Sequence, residues 1–178
     1  MAATKHTLVA LVEDKPGVLN RMASLFRRRG FNIDSIAVGH SELPQLSRVT
    51  VVANGSTAMV EQVRKQLDKL IEVVKVSDIT GEGITVRELA LIKVRATSAT
   101  RSEIIEIADI FRASIIDVAS DSLTIEITGD EDKIDSMMNL LRGVGIKEIA
   151  RTGRIAMVRG GTGSLPLKER ETRSRTKK

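Results

Sequence analysis

The stretch Val12-Glu13-Asp14-Lys15-Pro16-Gly17-Val18-Leu19-Asn20-Arg21 gathers the residue types best suited to recognising a small anion. The apolar run from His6 to Val12 reads as a strand, and the apolar spacing that follows Pro16 reads as a helix. Asp14 suits the N-cap, because its carboxylate can accept hydrogen bonds from free backbone N–H groups. Pro16 suits the first helical turn, where its missing N–H costs nothing. Gly17 has no Cβ, so another molecule can come close to the backbone there. A strand thus delivers a helix N-terminus with N–H groups and a partial positive charge facing outward, an end that attracts a carboxylate or phosphate. The same residues also describe a helix that is merely well capped.

The elements around this turn follow from periodicity. Helix one is expected from about Lys15 to Arg29, with Val18, Leu19, Met22, Leu25 and Phe26 on one face. Arg27, Arg28 and Arg29 place cations near its C-terminal dipole, and Gly30 ends it. Phe31 to Val38 reads as a strand with Asn32 at its start, Gly39 to Leu46 as a loop containing Pro44, and Arg48 to Ala53 as a third strand. After the Asn54-Gly55 turn, a helix from Ser56 or Thr57 to Leu70 and a strand from Val73 to Ile79 complete a β-α-β-β-α-β order. Gly81-Glu82-Gly83 reads as a linker, and the order then repeats. Glu88 to Ala96 is a strand, and Thr100-Arg101-Ser102-Glu103 matches a capping box ahead of a helix with Ile104, Ile107, Ala108 and Phe111 on one stripe. Ile115 to Ala119 and Leu123 to Thr128 form a hairpin about Asp121. Asp130 caps a helix with Ile134, Met137, Met138 and Leu141 inward, and Ile146 to about Val158 supplies closing strands.

The expected fold class is therefore α+β: two ferredoxin-like βαββαβ domains, at residues 5–80 and 84–159, each a four-stranded antiparallel sheet with two helices on one face. Cores of that size are marginal, and open sheet faces and edge strands seek partners, so at least a dimer is expected.

Composition narrows the function. The chain has 178 residues, 42% hydrophobic and 29% charged, with no cysteine. Disulfides, thiolate catalysis and cysteine metal sites are excluded. No apolar run approaches the roughly 20 residues of a membrane span, Met1 to Lys5 shows no signal-peptide pattern, and a cytoplasmic location is expected. From Gly160 onward six Lys and Arg face two Glu, a net +4 that leaves +1 of the total +5 for the rest. Residues 160–178 accordingly read as a disordered basic tail. His6 and His40 lie far apart in sequence, and no nucleophile–base motif, P-loop or dinucleotide fingerprint appears, nor any cluster with metal-ligand spacing. A βαββαβ unit also serves as an RNA-recognition module that stacks bases on sheet aromatics. Here Trp and Tyr are absent, Phe26 and Phe111 fall in helices, and the strand Arg48-Val-Thr-Val-Val52 offers no aromatic platform.

The run Leu8-Val-Ala-Leu-Val-Glu-Asp14-Lys-Pro-Gly17-Val-Leu-Asn-Arg21, followed by Leu25-Phe-Arg-Arg-Arg-Gly-Phe-Asn32-Ile-Asp-Ser, resembles an ACT domain. More narrowly it resembles the small regulatory subunits of acetohydroxyacid (acetolactate) synthase. Leu46-Ser-Arg-Val-Thr50, Lys65-Gln-Leu-Asp-Lys-Leu70, Arg87-Glu-Leu-Ala-Leu-Ile-Lys93, Ile110-Phe-Arg112 and Ile115-Ile-Asp-Val118 extend the resemblance over about Lys5 to Gly160.

That resemblance implies a non-catalytic subunit that binds a thiamine-diphosphate catalytic subunit, raises its activity and confers feedback inhibition by valine. Thiamine diphosphate, magnesium and FAD would belong to the catalytic subunit, with no cofactor in this chain. The N-terminal ACT domains would pair into a homodimer and hold the effector at their interface, at Asp14, Gly17, Val18, Leu19, Asn32 and Ile33. Chemistry at those positions agrees. The N–H groups of Gly17, Val18 and Leu19 can take the amino acid's carboxylate, adding ~0.3–1 kcal/mol from the dipole and about 2 if sheltered. The Asn32 amide can accept from the ammonium or donate to the carboxylate. Asp14 either caps the helix or pairs with the ammonium, and some relatives carry Asn there. Val18 and Ile33 would take the isopropyl group. Valine and leucine differ by one methylene, worth about 1–3 kcal/mol, so selectivity should be modest. The equivalent turn of the second half, Thr97-Ser-Ala-Thr-Arg-Ser102, has neither Pro nor Gly and should bind no amino acid. An ACT-domain sensor for another enzyme and a nucleic-acid-binding module are the alternatives.

Overall fold

The computed structural model describes residues 4–28 and 30–160. The basic tail beyond Gly160 lies outside them. The first domain runs β1 (Thr4–Glu13), α1 (Val18–Arg28), β2 (Asn32–His40), β3 (Leu46–Gly55), α2 (Thr57–Leu67) and β4 (Val73–Asp78). Its sheet is antiparallel with order β2-β3-β1-β4, which leaves β2 on an edge. Alternate residues of β1 and β3 (Leu8, Ala10, Val12 and Val49, Val51, Ala53) face α1 and α2, where they meet Val18, Met22, Leu25, Phe26, Val60, Val63 and Leu67. Phe26 is 1% exposed and stacks edge-on against Phe31, with ring centroids 6.2 Å apart. Phe26→Ala should cost about 3–5 kcal/mol, to be read from the midpoint of denaturant unfolding.

Three expectations in this half shift. Helix α1 starts at Val18 instead of Lys15, because Gly17 holds φ +88 and cannot be helical. Strand β2 continues through Gly39 and His40, which pair with Arg48 and Ser47, so the loop shrinks to 41–45 and turns at Gln45 with φ 61. Helix α2 ends at Leu67, three residues short of Leu70.

The second domain repeats the plan with β5 (Ile84–Arg95), α3 (Arg101–Ile110), β6 (Ser114–Val118), β7 (Ser122–Gly129), α4 (Glu131–Leu141) and β8 (Ile146–Arg151) in the order β6-β7-β5-β8. Asp130 caps α4 as expected, its carboxylate accepting from Lys133 N at 2.9 Å. The capping box at Thr100 does not form. Thr100 Oγ1 instead accepts from Thr97 N at 3.0 Å, and the Thr100 backbone is already helical.

The largest departure concerns the ends of this domain. Strand β5 begins at Ile84, four residues earlier than expected, and its first part pairs with β9 (Ile155–Val158). Val9, Ile79 and Ala156 are buried together there, with Ile84, Val86 and Val158 packed around them. The β5–β9 ribbon thus lies on the sheet face of the first domain that carries no helices. Arg48 Nη2 donates to the Ala156 carbonyl at 3.0 Å across this junction. Between the domains a cleft of about 340 Å³ carries Lys5, Asp34, Glu131 and Arg154. Lys5 Nζ donates to Glu131 at 2.6 Å, and Arg154 Nη2 donates to its other oxygen at 2.7 Å. The Lys5 hydrogen bond, seconded by the nearby cations against a burial penalty, holds the Glu131 carboxyl below its ordinary 4.5.

Candidate functional site

The turn from Asp14 to Leu19 presents its backbone outward. Gly17 and Leu19 make no backbone N–H hydrogen bond among the described residues, and Val18 N makes only a long one, 3.4 Å to the Lys15 carbonyl. A Cβ on Gly17 would meet nothing within 4 Å, so the space over these amides is open. Glycine is favoured there by its positive φ, since the space itself would admit a Cβ. Free N–H groups at a helix start, with the dipole behind them, form an anion cradle.

Asp14 sits four residues ahead of the first helical residue, and its backbone N–H donates to the Gln45 carbonyl at 2.8 Å. Its carboxylate faces His40 Nδ1 at 3.4 Å. It therefore does not cap α1. His40 is a neighbour that sequence reasoning left on a loop surface. The register that brings it to Asp14 depends on pairing between β2 and β3, which no local motif reports.

The expected apolar contacts divide. Val18 is 4% exposed and Ile33 is partly buried against the same cluster, so both side chains belong to the domain's own core. Leu19, by contrast, is 43% exposed, as are Ile36 (42%) and Val38 (47%) on edge strand β2. Ile36 and Val38 pair with Val51 and Val49 and so share the helix-bearing side of the sheet. Their alternation was readable in the sequence, but not its position on an edge.

Asn32 and Ile33 lie at the far end of β2 from the anion cradle. Asn32 pairs with Asn54, whereas His40, beside Asp14, pairs with Ser47. Eight strand steps separate Asn32 from His40, about 26 Å at the usual rise. One copy therefore cannot bring all six predicted residues to one small molecule. A second copy pairing its β2 antiparallel to this one, about a two-fold axis near Ile36, would set its Asn32 opposite His40 and hence beside the cradle.

Other chemistry finds little support. His6 is buried with Nδ1 3.0 Å from Asp78, at the opposite end of the sheet from His40. Among the described residues, no three His, Cys, Asp or Glu gather in a way that could hold a metal ion, and no helix is long and apolar enough to cross a membrane. The second domain's equivalent turn is closed by hydrogen bonds between Thr97 and Thr100.

The split sheet of order β2-β3-β1-β4 is a ferredoxin-like arrangement, and the family model described as "AHAS small subunit-like ACT domain" matches residues 8–75, which makes this unit an ACT domain. A second family model, "Small subunit of acetolactate synthase", matches residues 87–160. A probable acetolactate synthase small subunit of Archaeoglobus fulgidus is 59% identical over 88% of this chain and 98% of that protein. Another, of Methanothermobacter thermautotrophicus, is 53% identical over 90% and 96%. The crystal structure of the acetolactate synthase small subunit from Thermotoga maritima superimposes with a TM-score of 0.83 at 46% identity, over 89% of this chain and 99% of that one. The chain belongs to the acetolactate synthase small-subunit family.

Proposed function

We propose that this chain is a regulatory subunit that binds the catalytic subunit of acetolactate synthase, raises its activity and makes it sensitive to inhibition by valine. Valine is held where the ACT domains of two copies meet along β2, in the cytoplasm. The observation that carries this reading is the division of the site. Amides unpaired among the described residues stand beside one end of an exposed, apolar edge strand, and the Asn32 amide side chain, likewise without a partner among the described residues, stands at the other.

The zwitterion fits that division. Its carboxylate takes the Gly17 and Leu19 N–H groups, and its ammonium takes the carbonyl of Asn32 from the second copy, with Asp14 adding negative charge nearby. The isopropyl group packs on Leu19 and the Ile36 and Val38 stripe, since Val18 and Ile33 are committed to the core. Affinity in the range of roughly 1 mM to 1 µM suits such a ligand. Valine inhibits only by binding one arrangement of the subunits better than another. The carboligation itself, with thiamine diphosphate, magnesium and FAD, belongs to the catalytic subunit.

The test is reconstitution. Adding the full chain to the catalytic subunit should raise acetolactate formation, and millimolar valine should then lower it. A rate unchanged by the chain, with or without valine, would contradict the proposal.

A further inference from the structure

We propose that Arg154, acting through Glu131, is the positioning residue by which the second domain reads the effector strand β2; this rests on the valine reading above. Arg154 lies in the short turn between β8 and β9, the segment that passes from the second domain onto the first. It reaches three elements at once. Its backbone N–H donates to Ser35 Oγ on β2 at 3.4 Å, Nη1 donates to Thr7 Oγ1 on β1 at 3.4 Å, and Nη2 donates to Glu131 in the first turn of α4 at 2.7 Å.

The turn is also fitted to β2 sterically. Gly153 holds φ +78, and a Cβ there would come within 3.2 Å of Ser35 Cβ and 3.5 Å of the Ile36 carbonyl. Ser35 follows the irregularity in the β2–β3 pairing that lies between Ile33 and Ser35. The second domain therefore rests on the place where β2 departs from regular register, three residues from the effector residue Asn32.

A polar chain connects the same points from the other side. Asn54, which pairs with Asn32, donates its Nδ2 to both oxygens of Asp34 at 2.7 and 2.8 Å. Asp34 lies 3.9 Å from Lys5 Nζ, and Lys5 donates to Glu131 at 2.6 Å. Glu131 is thus the node where β1, β2 and the β8–β9 turn meet α4. Among the described residues, the junction is also bridged by Arg48 to the Ala156 carbonyl, which like the Arg154 bonds to Ser35 and Thr7 goes to a neutral acceptor, whereas Lys5 to Glu131 joins two charges. Charge-assisted bonds are the stronger kind, so the Glu131 node is the stiffer link. When valine draws Asn32 toward the seam, the shift in β2 reaches α4 through this node, and packed elements convert small shifts into discrete rearrangements.

The test uses the full chain with Arg154→Ala, Glu131→Gln, the double variant and Arg154→Lys. Calorimetry with valine on the chain alone reads binding, and valine titration of the enzyme reconstituted with its catalytic subunit reads transmission. Both alanine and glutamine variants should bind valine as the unmodified chain does. The valine concentration for half inhibition should rise by about 5–150-fold, the usual span of allosteric coupling. The double variant should be no worse than Arg154→Ala, and Arg154→Lys should keep part of the response. Unchanged inhibition in all variants would overturn the assignment, and so would a parallel loss of binding in the isolated chain, which would place the node inside the site. If the unmodified chain gave neither heat nor inhibition, the valine reading itself would fall, and this inference with it.

Discussion

Replacing Gly17 by aspartate should abolish the heat of valine binding while the chain stays folded and dimeric. A Cβ at this position meets nothing within 4 Å, so the substitution causes no clash. Its backbone cost comes from φ +88, about 1–2 kcal/mol for an L-residue in that region. The larger effect falls on the ligand. A carboxylate placed at the cradle faces the effector's own carboxylate, and two such charges about 4 Å apart repel by about 4 kcal/mol at the effective dielectric of a protein surface. The amides lose part of their attraction as well, because the new side chain competes for them. Affinity should fall by at least about 100-fold, each tenfold corresponding to about 1.4 kcal/mol. Gly17→Ala, which adds strain without charge, should weaken binding far less. Heat of unchanged size from Gly17→Asp would show that the carboxylate binds elsewhere.

The second large effect concerns the edge strand. Ile36→Lys with Val38→Lys should turn the proposed dimer into a monomer at micromolar concentration and remove valine binding, although Gly17 and Asn32 are untouched. Charges pointing from an edge strand are a standard block to edge-to-edge pairing, and the two-fold would set four new cations against one another along one seam. The side chains replaced are 42% and 47% exposed in the single chain, so its own core should lose little. Sedimentation reads the mass and calorimetry the ligand. Ile110→Lys, at a 75% exposed position on α3 of the second domain, serves as control and should leave both unchanged. A lysine variant that stays dimeric would move the interface away from β2.

Most of the fold could be read in the residues because each half repeats one unit, and apolar periodicity fixes strands and helices within it. What escaped was set by partners distant in sequence. Ile84 and Val86 alternate with polar residues, yet only pairing with Ile155 to Val158 gives them a place. Thr100 has the type and spacing of a capping box, but the nearer Thr97 N–H claims its hydroxyl. Pro16 was expected in the first helical turn but lies in the turn ahead of it, because Gly17's positive φ moves the helix start to Val18. At the candidate site the turn was legible, since Pro, Gly and free amides are local features. The burial of Val18 and Ile33 was not, because an apolar residue at a helix or strand start can face the core or a ligand with equal chemical sense. That Asn32 stands a full strand length from Gly17 emerged only from the register.

The claim on which the rest depends is that each effector site is built from two copies, the cradle of one and Asn32 of the other. It is tested most directly by mixing two defective chains, Gly17→Asp and Asn32→Ala, and measuring valine binding by calorimetry. Each chain alone should give no heat at concentrations that saturate the unmodified protein. After exchange, half of a random mixture is heterodimer, and each heterodimer carries one complete site beside one doubly defective site. Binding should therefore return at unmodified affinity with about a quarter of the original stoichiometry. No recovery on mixing, with dimer exchange verified, would contradict a shared site, as would an Asn32→Ala chain that binds valine as tightly as the unmodified one.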